Sequence, residues 1–202
     1  VGMGIDIYAL IMDWEPAVEA YRAAGGLDFY WDANAQIELE LEKARTQGTP
    51  LPWPEVPEVV PFAEDQWAPP GKAFTAAGNF YLALSDRLEP ELLARTDPVF
   101  ATIYPEKLSD INDLKADSGG PDDFDVLYAL RPSSVKLVLE RIEALPWEAM
   151  RAAGEGIDLL YSGRQPGFGM DFAQFEGIVE SHVDWLRKAA ITDRGVLVFW
   201  SI

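Results

Sequence analysis

Cysteine is absent from this sequence, and histidine occurs once, at His182. Without thiols there is no disulfide framework, no thiolate metal site and no cysteine nucleophile. A single imidazole per chain also excludes a multi-histidine metal site within one chain. Basic side chains are scarce as well: 16 lysines and arginines face 34 aspartates and glutamates, a formal net charge of -18. A field of that sign repels nucleic-acid phosphates and anionic membranes, so neither is expected as a partner. It attracts basic proteins and divalent cations, although solubility alone is the ordinary reason for such a surplus. No apolar run approaches the ~20 residues of a membrane-spanning helix. The start of the chain has no basic segment followed by a small-residue cleavage site, so a cytoplasmic protein is expected.

Apolar side chains are plentiful. They make up 49% of the 202 residues, enough for one sizeable core in a domain that folds unaided. The expected organisation is a single α+β domain over residues 1–202, with a proline-rich surface loop at 49–71. In that domain the N- and C-terminal strands lie centrally in a mixed sheet and helices pack on it.

Residues 4–11 alternate as a strand, Ile7, Ala9 and Ile11 on one face, Tyr8 and Leu10 on the other. Glu15 and Pro16 open a helix that Gly25 and Gly26 stop. Over 34–47, Ile37, Leu39 and Leu41 alternate like a strand while the residue types favour helix; a helix capped by Asn34 and ended by Gly48 is expected. Between 49 and 71, seven prolines punctuate Trp53, Phe62 and Trp67, too densely for regular structure to continue.

Phe74, Ala77, Tyr81 and Leu84 follow at helical spacing, and Leu88, Leu92 and Leu93 extend an apolar face past Pro90. The polar stretch 109–125 reads as a loop, and 125–130 as a short strand. Pro132 then starts the clearest helix, with Val135, Val138, Leu139, Ile142 and Leu145 as its stripe. A shorter helix lies between Pro146 and Gly154, and a longer one spans 171–190. Val196 to Trp200 is the continuous apolar run of a strand covered on both faces.

The opening Met3-Gly4-Ile5-Asp6-Ile7-Tyr8 and the entry Leu130-Arg131-Pro132-Ser133-Ser134-Val135 resemble the YfbM-like family of uncharacterised bacterial proteins. The closing segment, Val183 to Ala190 followed by Gly195 to Val198, carries the same likeness. It covers the first strand and the last 75 residues or so, while the proline-rich middle departs from it. The resemblance implies a mixed α/β domain and supplies no catalytic residues.

Four residues stand out as binding candidates. Trp53 and Trp67, with Trp31 before them, could form an aromatic platform for sugars or peptides, though loop anchoring is the commoner use of such rings. Arg164 lies ahead of a helix N-terminus where an anion could sit, but Asp171 already holds the capping position there. His182 lies beside the buried stripe of its helix, where a hydrogen-bonded structural histidine is the usual outcome and a general base the rarer one. The acids Asp117, Asp122, Asp123 and Asp125 lack the register of a calcium loop, so no metal and no cofactor are expected.

These features point first to a non-enzymatic intracellular binding protein with an acidic surface, of which an immunity-type neutraliser of a basic partner is one form. The alternative is a small carboxylate-dependent hydrolase whose acids converge on a cleft.

Overall fold

The computed structural model describes residues 6–50, 70–104, 111–120, 123–157 and 170–201. Trp53, Trp67 and Arg164, and the proline-rich segment from 51 to 69, lie outside the described residues. Four strands, β1 (Asp6–Met12), β2 (Ile111–Asn112), β3 (Val126–Leu130) and β4 (Gly195–Ser201), form one sheet in the order β1-β4-β3-β2. β4 runs antiparallel to both neighbours, whereas β2 and β3 are parallel. The sheet is therefore mixed, and the α+β class follows.

Within it, β4 takes the interior place that its apolar run demands. The expected pairing of the terminal strands also forms, with Asp6 opposite Ser201 and Met12 opposite Gly195. β1 itself lies at the edge among the described residues, and β3 takes the second central position. The reason lies in β3: all five of its residues are buried, as only an interior strand covered on both faces allows.

Helices cover both faces. Against one face pack α3 (Pro70–Ser85), α4 (Pro90–Ile103), α6 (Pro132–Glu143), α7 (Trp147–Gly154) and α8 (Phe172–Ile191), meeting Ala9, Leu130, Val196 and Val198. Against the other pack α1 (Trp14–Ala24), the start of α2 (Asp28–Gln47) and α5 (Asp113–Ser118), meeting Leu10, Val126, Leu197 and Phe199. Side chains alternate between the two cores along β1 and β4, as the period of two requires. In β3 the register shifts between Val126 and Tyr128, so Leu127 and Tyr128 both turn toward the larger core.

Three elements differ from the sequence reading. α2 begins at Asp28, so Asn34 lies within it and the N-cap position falls to Leu27. Gly25 stops α1 in the left-handed region, and two residues after Gly26 the chain is already helical again, with the N–H of the intervening Leu27 held by Asp123 Oδ2 at 3.1 Å. The polar stretch 109–125 contains β2 and α5; the Asn112 side chain accepts from the Lys115 N–H to start that helix and Gly119 ends it. Pro70 and Gly71, placed in the proline-rich loop, open α3, where proline's missing N–H costs nothing.

The stripe of α6 is buried as its spacing implies. α8 starts one residue after Asp171, whose side chain accepts from the Gln174 N–H while Gln174 reaches back to the Asp171 N–H. Gly195 is required by close approach: a Cβ there would lie 2.1 Å from Trp14 Cε3 and 2.9 Å from the Leu130 carbonyl oxygen. No described helix is long and apolar enough to cross a membrane.

Candidate functional site

β1, β2 and β3 all end at one edge of the sheet, and α1, α5 and α6 begin there. This is the edge at which open α/β sheets place their ligands, since strand ends and helix N-termini converge on it. Here it is filled by the protein's own ion pairs. Arg131 meets Asp117 at 3.0 Å and Asp113 at 3.4 Å, and its backbone N–H donates to Asp113 Oδ2 at 3.0 Å. Trp14 Nε1 donates to Asp117 Oδ2 at 2.8 Å, and Arg194 Nε donates to Asp13 Oδ1 at 2.9 Å. Arg22 Nε donates to the Ser118 carbonyl at 3.0 Å. With Arg131 about 39% exposed, each pair contributes modestly, and the network's effect is to fix three helix starts relative to one another.

The acids of the 117–125 stretch are thus divided among separate tasks. Asp117 holds an indole and a guanidinium, Asp123 holds the backbone before α2, and Asp125 accepts from Trp200 Nε1 at 3.1 Å. Asp122 lies outside the described residues. Among the described residues, no group of three acidic or histidine side chains could hold a metal ion.

His182 is 1% exposed, on the face of α8 turned toward the sheet. Its Nε2 shares a hydrogen bond with the Tyr128 hydroxyl, and its ring packs against Tyr104 and Trp185. Burial pushes its pKa down to about 3, so the imidazole is neutral at physiological pH. Burial likewise raises the Tyr104 phenol, and raises Tyr128 with a further contribution from Tyr104. Buried and hydrogen-bonded, this is the core histidine that its position on the helix implied.

An open cleft of about 700 Å3 lies where α7 meets the start of α8. It is lined by Glu148, Arg151, Glu155, Ile157, Asp171 and Phe172 among others. Arg151 is held across it by Glu176 at 2.7 and 2.8 Å, and its guanidinium carbon sits 5.7 Å from the Phe172 ring centroid. Glu176 raises the Arg151 pKa further.

Exposed acids with no ion pair among the described residues occur on several helices, Glu19 of α1, Glu91 of α4, Glu140 of α6 and Glu180 of α8 among them, and four lie along α2. Asp28, Asp32, Glu38 and Glu42 are exposed, and none forms an ion pair among the described residues. Trp31 shares their side of the helix and is 38% exposed. Its inner edge packs against Tyr8, Tyr30 and Phe199 at centroid distances of 5.7, 5.0 and 5.8 Å. Of the four residues singled out from sequence, only His182 is described, and it belongs to the core. The roles of Arg131, Asp113 and Trp14 had no local signal, because each depends on partners brought together by the sheet. No family model matches the chain, and no curated protein or solved structure matches it.

Proposed function

We propose that this protein is a non-enzymatic, cytoplasmic binding protein whose acidic surface engages a basic protein partner, an immunity-type neutraliser being one concrete form. The observation that carries this reading is the row of exposed carboxylates on α2 with no cationic partner among the described residues, in a chain of net charge -18. Such a field speeds the approach of a cationic protein and rejects anionic ones. The buried neutral His182 supports it, since the one imidazole is spent on packing. The likeness of the terminal segments to the YfbM-like family is compatible with this and adds no activity.

Affinity capture of partners on the immobilised chain, with a salt titration, tests the proposal. A basic protein retained at low ionic strength and released as salt rises is the expected outcome. Recovery of no basic partner at low ionic strength overturns the electrostatic reading.

A second reading, a carboxylate-dependent hydrolase, is favoured by the cleft that gathers Glu148, Glu155 and Asp171. Asp171 Oδ1 already accepts from the Gln174 N–H, which leaves Glu148 and Glu155 as the candidate acids of the cleft. Turnover of nitrophenyl glycosides or esters that disappears in both Glu148→Gln and Glu155→Gln would replace the binding proposal with this one.

A further inference from the structure

α2 and α8 are both 20 residues long, yet they are used differently. α8 buries a continuous stripe from Phe172 to Ala189, whereas Tyr30 and Ala44 are the only buried side chains described on α2. On the outward side of α2, Trp31, Ala35 and Leu39 recur every fourth residue and are all exposed, Trp31 by 38% and Leu39 by 49%. That spacing draws one apolar line along a helix, about 12 Å from first to last at 1.5 Å per residue.

Asp28, Asp32, Glu38 and Glu42 flank the line, while the nearest lysine, Lys43, is turned to Glu40 at 2.8 Å. Lys43 and Arg45 are the cations near the far end of the line, Lys43 one turn beyond Leu39 and paired with Glu40. Trp31 is held in place by the three rings behind it, so it offers a fixed aromatic anchor at little entropic cost.

We infer that this face of α2 is the docking surface for a basic amphipathic helix of the partner, its apolar stripe seated on Trp31, Ala35 and Leu39 and its lysines and arginines against the flanking acids. The inference rests on the proposed engagement of a basic partner and names the surface that performs it. Charge decides the occupant. A second copy of this chain would bring four carboxylates against four, and nucleic acid or an anionic membrane would be repelled, so an apolar line bordered by acids selects a cationic amphipathic segment. Exposed apolar residues elsewhere differ in their neighbours: Leu137 has Lys136 and Arg141 near it as well as Glu140, and Ile191 follows Arg187 and Lys188 by one turn, so neither is bordered by acids alone.

The test uses the full chain and two synthetic peptides of leucine and lysine with identical composition. One is arranged with a period of about 3.6 residues so that it folds as an amphipathic helix, and the other is scrambled so that it has no apolar face. Titration at low ionic strength should show the amphipathic peptide binding at least ~10-fold more tightly than the scrambled one, about 1.4 kcal/mol. Leu39→Ser and Ala35→Lys should each abolish that advantage with circular dichroism unchanged, whereas Leu137→Ser and Ile191→Ser should preserve it. If both peptides bind equally, or if the α2 variants bind like the wild type, the docking surface is wrong while the acidic-binding proposal stands. If neither peptide binds at low ionic strength, both fall together.

Discussion

At the scale of single residues, the side chains with the most consequence are those whose partners lie far away in the sequence. Asp117 is committed to Trp14 and Arg131, and Asp125 to Trp200. In the sequence these acids share a polar, turn-rich stretch that looks like a solvated loop, because nothing local reports an indole 75 or 103 positions away. His182 was different. Its place beside Val179 and Leu186 on an apolar stripe already indicated a core position, and Tyr128 supplies the hydrogen bond that a buried imidazole needs.

That burial makes stability depend on pH. The folded-state pKa of His182 is depressed to about 3, below its unfolded value near 6.5. The unfolded chain therefore binds the extra proton first, and stability present above about pH 6.5 is lost as pH falls toward the folded value. Between about pH 6 and pH 5, before most carboxylates titrate, urea melts should show a loss approaching 1.4 kcal/mol per pH unit. His182→Phe should flatten that slope whatever its effect on absolute stability. An unchanged slope in the variant would mean that the imidazole is protonated in the native state.

At the scale of elements, legibility followed length and punctuation. α6 and α8 could be read because their apolar stripes run for three turns or more between clear start and stop signals. α5 could not: its six residues are too few for a periodicity to show, and only the Asn112 cap and the Gly119 stop marked it. α2 was placed as a helix but started late, since Phe29, Tyr30 and Trp31 carry little helical preference and are held there by tertiary packing, Phe29 against Tyr21 and the other two against Tyr8 and Phe199.

The start of α8 is the element boundary best defined by hydrogen bonds. Asp171 and Gln174 exchange bonds of 2.8 and 2.9 Å, satisfying two N–H groups that the helix would otherwise leave open. Asp171→Ala should cost about 1 kcal/mol, read as a shift in the urea midpoint without a change in slope. Asp171→Asn should recover most of it, because asparagine caps as well as aspartate does. Equal loss in both variants would assign the effect to charge near the cleft and not to the cap.

At the scale of the whole molecule, the surplus of acid over base sets a cost that the fold carries everywhere. A net charge of -18 repels itself in the compact state more than in the extended one. The ion pairs that oppose this among the described residues, such as Arg131 with Asp117 and Arg194 with Asp13, are partly exposed. Raising sodium chloride from about 0.01 M to about 0.15 M shortens the screening length from roughly 30 Å to roughly 8 Å. The melting temperature should rise over that interval. A fall would show that the attractive pairs outweigh the surplus and that the acidic surface costs the fold nothing.

The pairing of β1 with β4 also has a bearing on how the chain comes into being. Residue 6 finds its partner at residue 201, and β3 likewise has no antiparallel neighbour until β4 exists. A ribosome adding roughly 5 to 20 residues per second takes on the order of ten to forty seconds to travel from one to the other. Throughout that interval the nascent β1, with Ile7, Ala9 and Ile11 on one side and Tyr8 and Leu10 on the other, lacks the strand it pairs with, although α1 and α3, which pack on its two sides, are made earlier. The parallel pair of β2 and β3 can form ahead of β4, but β1 meets them only across β4, so the four-stranded sheet closes only once that strand has been made.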